Sequence, residues 1–150
     1  MHTVNIRVTI GVAFLLMSIL VQASADQLLS EPSEHPDSQR ISVQTQGSGK
    51  DDILIPGLAS SREIWTDLAA GLRTRHRIHL VKLAGFADTP AVSSPDGKVI
   101  APAADAIAEY IRTRHIKAPV IIGHSLGGEI ALMLGARHPD QVGRLMVVDA

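Results

Sequence analysis

Residues 119–138 read PVIIGHSLGGEIALMLGARH, and the way this stretch folds decides how the rest of the chain is understood. Val120, Ile121 and Ile122 form a short, branched apolar run with the length and composition of a buried parallel strand. After Leu126 the apolar residues return at helical spacing, so Ser125 falls on the corner between strand and helix. A corner that sharp holds its serine in a strained backbone conformation, tolerable only where neighbouring side chains are missing. Gly123, Gly127 and Gly128 therefore have a steric reason to flank it. The Ser125 hydroxyl then stands clear of its surroundings as a candidate nucleophile. The backbone N–H of Leu126, at the start of the helix, faces the place where negative charge would develop on an attacked carbonyl oxygen. A bare G-x-S-x-G pattern carries little information; the strand run before it and the helix run after it give it meaning.

Working outward, residues 52–55 form another short apolar strand run, ended by Pro56-Gly57-Leu58. Ser60 and Glu63 then have capping-box spacing for a helix running through Arg73, whose residues Ile64, Trp65, Leu68 and Leu72 recur as a buried stripe. Ile41, Val43 and Thr45 alternate with polar residues, giving a half-buried strand that Gly47-Ser48-Gly49 breaks. Gly49-Lys50 resembles the end of a phosphate loop, but Asp51 follows where Ser or Thr is needed and no helix begins, which argues against nucleotide binding. Residues 77–83 give a third strand, and the loop 84–100 leaves its carboxyl end, the edge where an open parallel sheet keeps its ligand site. Phe86 is accordingly a candidate pocket residue. Pro102 opens a helix carrying Ala104, Ile107, Ala108 and Ile111 inward, and Pro139 with Gly143 turns the chain into a last apolar run, 144–149, read as a buried strand. The expected fold is α/β, a mostly parallel sheet flanked by helices.

Composition narrows the function. At 45% hydrophobic, 19% charged and a net charge of −1, the chain suits one globular domain. Its 14 basic and 15 acidic residues are scattered, leaving no basic stripe for nucleic acid. Residues 1–25 form a separate element. Arg7 supplies positive charge, residues 8–21 are mostly apolar and Ala23-Ser24-Ala25 matches a cleavage site, the pattern of a secretory signal peptide. The apolar run is shorter than the roughly 20 residues that span a bilayer, so cleavage after Ala25 is expected to leave a secreted or periplasmic protein with no membrane partner. Residues 26–40, with Pro32, Pro36 and four acids, read as a flexible leader, and residues 41–150 as the domain. No cysteine is present, which excludes a thiol nucleophile and any disulfide.

The order of strands, the stretch IPGLASS at 55–61 and GHSLGG at 123–128 resemble the alpha/beta-hydrolase superfamily, over residues 41–150. The likeness is to the amino-terminal half of exported members, whose next strand also ends in a loop like Gly85-Phe86. It implies a serine hydrolase that cleaves an ester or related acyl bond of a small molecule through an acyl-serine, without a cofactor. It implies Ser125 as nucleophile and, by position, Leu58 and Leu126 as donors of the two oxyanion N–H groups; an ordinary strand-to-helix turn at Leu58 is the alternative. Many relatives carry His where this chain has Pro56, which removes a side chain that braces the loop.

In that superfamily the triad acid and histidine follow the serine on later loops. His138 is the only histidine after Ser125, thirteen residues on, which is about 20 Å along a helix, too far to act as base. His124 adjoins the serine but points to the other face of the strand. His35, His76, His79 and His115 read as solvated or structural, and no spacing supports a metal site. Asp149 ends the last strand, where a minority of members place the acid; a loop-capping role is its alternative. The chain is thus expected to be a fragment, close to inert by itself. A non-catalytic binding module on the same scaffold is the rival reading.

Overall fold

The structure is a computed structural model and describes residues 33–36, 38–94 and 97–150. The expected signal peptide, residues 1–25, lies outside the described residues. Six strands form one sheet: β1 (Ser33–Pro36), β2 (Ile41–Gly47), β3 (Lys50–Ile55), β4 (His76–Leu83), β5 (Val120–His124) and β6 (Arg144–Val148), in the order β1-β2-β4-β3-β5-β6. β1 and β2 run antiparallel to their neighbours, while β4, β3, β5 and β6 are mutually parallel. Crossover helices are what make the parallel part possible: α1 (Thr66–Leu72), α2 (Ile100–Thr113) and α3 (Leu126–Arg137).

Because strand side chains alternate between faces, one sheet makes two cores. Ile53, Ile55, Val81, Leu83 and Ile121 face α2 and α3, packing against Ala104, Ile107, Ile111, Ile130 and Leu134. Leu54, Ile78, Leu80 and Ile122 face the other way, onto Trp65 and Ala69. The result is three layers, with the carboxyl ends of β3 and β5 side by side at one edge, in register from Asp52 with Val120 to Ile55 with Gly123.

Four expectations need correction. Residues 33–36, read as part of a flexible leader, form β1 and pair with β2 from Ser33 opposite Thr45 to Pro36 opposite Ser42. The helix after Pro56-Gly57-Leu58 begins as a 3₁₀ turn, Arg62–Trp65, with Ser61 rather than Ser60 at its cap and no side-chain capping bond. That tighter turn shifts the helical register. Trp65 is buried as expected, with Ala69 beside it and Leu72 partly buried against the same core, while Ile64 and Leu68 are exposed, 47% and 39%. β6 is a strand as expected, but Leu145, Met146 and Val147 on it are exposed, because no other described element lies beyond β6 in the sheet.

Candidate active site

The corner forms as the glycine spacing requires. Ser125 has φ 51° and ψ −123°, in the left-handed half of backbone space that a side-chain-bearing residue rarely enters. Three hydrogen bonds hold it there: its N–H donates to Val148 O on β6 at 2.8 Å, and its carbonyl accepts from Gly128 N–H at 2.7 Å and Glu129 N–H at 3.3 Å. Ser125 is thus the cap residue of α3 through its carbonyl, yet its hydroxyl makes no capping bond. A capping serine ordinarily spends its side-chain oxygen on the first turn. Here the backbone angle turns the side chain away, and no described residue hydrogen-bonds the hydroxyl.

The flanking glycines are fixed by close approach, of backbone at Gly123 and Gly127 and of side chains at Gly128. A Cβ on Gly123 would stand 2.2 Å from Gly127 O, one on Gly127 would stand 2.3 Å from Ile55 O, and one on Gly128 would stand 2.6 Å from the Ala150 Cβ. These contacts seat α3 against the end of β3, so the loop after β3 comes to the serine. A Cβ on Gly57 would lie 3.2 Å from Ser125 Cβ and 2.9 Å from His124 Nδ1. Beyond Gly57 the loop closes as a turn, with Ser60 N–H donating to Gly57 O at 3.2 Å and Ala59 at φ 55°. Pro56 and Gly57 are buried, whereas Leu58 is 66% exposed. No described residue accepts a hydrogen bond from the N–H of Leu58 or of Leu126. The structure therefore brings Leu58, Ser125 and Leu126 to one rim of the sheet.

Asp149 follows β6 directly, at φ 49° and exposed, one residue past the Val148 carbonyl that holds Ser125. It has no hydrogen bond to a described histidine. None of the described histidines is hydrogen-bonded to the Ser125 hydroxyl. His138 Nε2 contacts Asp105 Oδ1 at 3.0 Å, beside Arg137 on the same carboxylate. Burial opposes ionisation of Asp105, but His138 and Arg137 together hold its carboxyl below the ordinary range. His76 Nδ1 stands 2.8 Å from Asp52 Oδ2, His115 is exposed at the end of α2, and His124 keeps a buried Nδ1 without a partner. The side chain of His35 lies outside the described residues. Phe86, expected near a pocket, is buried in the larger core and lines a cleft of about 200 Å3 with Leu83, Val99 and Arg40. No group of three described His, Asp or Glu residues could hold a metal ion.

At the opposite ends of the strands, the structure assembles a cluster that sequence reasoning missed. His79 Nε2 lies 2.8 Å from Asp51 Oδ1, and its Nδ1 lies 2.7 Å from the Tyr110 hydroxyl. Arg77 grips both oxygens of Asp51, at 2.5 and 3.0 Å. Burial pushes the His79 imidazole below its ordinary value against the pull of Asp51. The neutral ring therefore donates from Nε2 to the carboxylate and accepts the Tyr110 proton at Nδ1. Burial opposes ionisation of Asp51 as well, yet Arg77 and His79 hold its carboxyl low.

The sequence pattern of the alpha/beta hydrolase fold matches residues 53–150, from within β3 to the last residue. This chain belongs to the alpha/beta hydrolase family. It is 35% identical over 106 residues to the pimeloyl-(acyl-carrier protein) methyl ester esterase of Chromobacterium violaceum, covering 71% of this chain and 39% of that protein. Among solved structures it resembles a marine microorganism esterase at TM-score 0.65 and 29% identity, covering 73% of this chain and 41% of that one. It also resembles an N-acyl homoserine lactonase at TM-score 0.66 and 26% identity, covering 78% and 44%. The chain spans about two fifths of the length of the curated relatives it matches.

Proposed function

We propose that this chain carries the nucleophile half of a serine hydrolase acting on an ester or related acyl bond of a small molecule. One observation carries the reading: Ser125 is held at φ 51° with its hydroxyl unspent, beside a loop packed within contact of its Cβ. Ser125 Oγ adds to the substrate carbonyl carbon and the carbonyl π electrons move onto oxygen. The N–H groups of Leu58 and Leu126 receive that oxyanion, in a place where such donors lower the barrier because they need no reorientation. Collapse expels the alcohol and leaves an acyl-Ser125, which water then cleaves to the acid. The Oγ proton passes through a general base to the departing alkoxide; no described residue is hydrogen-bonded to Oγ in that role, and without a base a serine hydroxyl is a weak nucleophile. Cleavage after Ala25 would deliver the protein outside the cytoplasm. The esterase and lactonase relatives support acyl chemistry in general and leave the leaving group open.

The test is turnover of short-chain p-nitrophenyl esters by the full-length protein. Ser125→Ala is expected to lower it about a million-fold, the loss seen when a triad serine is removed. A folded full-length protein whose Ser125→Ala variant keeps its turnover would contradict the assignment.

A further inference from the structure

The loop that carries Leu58 is anchored at both ends, and only one anchor is the serine corner. Its other end runs into Arg62, the first residue of the 3₁₀ turn, which is only 6% exposed despite its charge. The Arg62 guanidinium donates from Nη2 to Ser42 Oγ at 3.0 Å, and its Nη1 comes within 3.5 Å of Gln44 Oε1. Both partners are on β2, two residues apart and so on one face of the strand. β2 is not next to the loop's own strand: β4 lies between β2 and β3. The side chain therefore reaches across a strand to fasten the loop exit to a distant part of the sheet.

A buried guanidinium contributes little net stability, since an apolar side chain of similar volume would do as well or better. What it adds is direction, because its planar fork fixes the bearing of the backbone that carries it. Direction matters in this loop. Between Gly57, pressed against His124 and Ser125, and the Arg62 anchor, Leu58 is exposed and Ala59 sits at φ 55°. A left-handed alanine relaxes toward negative φ unless its surroundings forbid it, and that rotation would swing the adjoining peptide groups.

Resting on the acyl-transfer reading above, we propose that Arg62 is a positioning residue: its bonds to β2 hold Ala59 in its left-handed turn and aim the Leu58 N–H at the oxygen formed on attack by Ser125. It touches no reacting atom. Its effect is on the rate of bond formation at Ser125 and not on substrate affinity.

The experiment uses the full-length protein and a fluorophosphonate, following the first-order rate constant of Ser125 modification separately from inhibitor affinity. Arg62→Met and Ser42→Ala cut the same bond from its two ends. Each is expected to slow modification about 10- to 100-fold, as loss or misplacement of an oxyanion donor does, with affinity changed less than about twofold. The double variant should be no slower than Arg62→Met. Arg77→Met, which breaks the ion pair with Asp51 at the other ends of the strands, should lower the thermal midpoint while leaving the rate constant alone, separating aim from general loosening. Backbone amide exchange of residues 57–61 should quicken in Arg62→Met and stay unchanged in Arg77→Met. Wild-type rates in both Arg62→Met and Ser42→Ala, or unchanged exchange in residues 57–61, would overturn the inference and leave the Ser125 assignment standing. Should the wild type itself take no label, the Ser125 assignment falls with the catalytic half of this inference, and the exchange measurement alone decides whether Arg62 holds the loop.

Discussion

Two hydroxyl groups at opposite ends of the same strands show how similar parts are put to different ends. At the amino ends, the Tyr110 hydroxyl meets His79, which meets Asp51, which meets Arg77. That order of hydroxyl, imidazole and carboxylate is the connectivity of a hydrolytic triad, but Tyr110 and His79 are each only 3% exposed and every polar atom in the chain of bonds has a partner. At the carboxyl ends, no imidazole among the described residues is hydrogen-bonded to the Ser125 hydroxyl, yet the serine is strained, half-buried and unspent, and no described residue accepts from the N–H of Leu58 or of Leu126. Connectivity alone does not make a reactive site. A satisfied buried network pins elements together, here β3, β4 and α2, whereas reactivity calls for a group that the fold has declined to satisfy.

The sharpest break of this contrast is Gly127→Ala. Its Cβ would stand 2.3 Å from Ile55 O and 2.6 Å from Pro56 O, all backbone, so β3 and α3 must part. We expect a loss of about 3 kcal/mol in chemical denaturation, the upper range for overpacking, together with loss of fluorophosphonate labelling. Retention of both would mean that the close seating of the corner is not required. Next in size is Tyr110→Phe, which leaves His79 Nδ1 buried with no donor. It should cost about 1 to 3 kcal/mol while the rate of Ser125 modification stays at the wild-type value; a matching fall in rate would show that the two ends of the sheet are not separable.

The smallest effect is with pH. Burial holds His79 below its ordinary value of 6.5, so the unfolded chain takes up the proton first as pH falls. Stability from this group is therefore complete above about pH 6.5 and is lost as pH drops toward the depressed folded value. Asp51, held below its ordinary 3.8, adds a further loss at lower pH. Denaturation midpoints should fall between pH 7 and pH 5, and His79→Gln should flatten that slope. An unchanged slope in the variant would place the titrating group elsewhere.

Which of the two regions could be read from the sequence follows from the range of the contacts involved. The Ser125 corner is local: the branched run at 120–122, the glycines at 123, 127 and 128 and the helical spacing after Leu126 all lie within one short stretch, and the structure forms strand, corner and helix there. The meeting of that corner with Pro56-Gly57-Leu58 followed from the parallel pairing of β3 and β5. The His79 cluster is not local. Asp51, His79 and Tyr110 come from three elements, and no spacing in the chain announces that α2 crosses those strand ends at Tyr110. Arg62 was hidden for the same reason, with partners 18 and 20 residues away on a strand that is not adjacent to its own. The stripe Ile64, Trp65, Leu68 and Leu72 held at Trp65 and Leu72 and failed at Ile64 and Leu68, because a 3₁₀ turn at Arg62–Trp65 replaced the first helical turn and a period of 3.6 residues misplaced part of the apolar face. β1 escaped notice because four residues containing a proline and an acid do not display an apolar alternation.

The measurement that bears most directly on the account is the site of covalent modification. Full-length protein treated with a fluorophosphonate and digested should yield one phosphonylated peptide, modified at Ser125, and no such product after Ser125→Ala. A folded protein that stays unmodified, or that carries the phosphonyl group on another serine or on Tyr110, would contradict the claim that the corner at residue 125 presents the reacting hydroxyl.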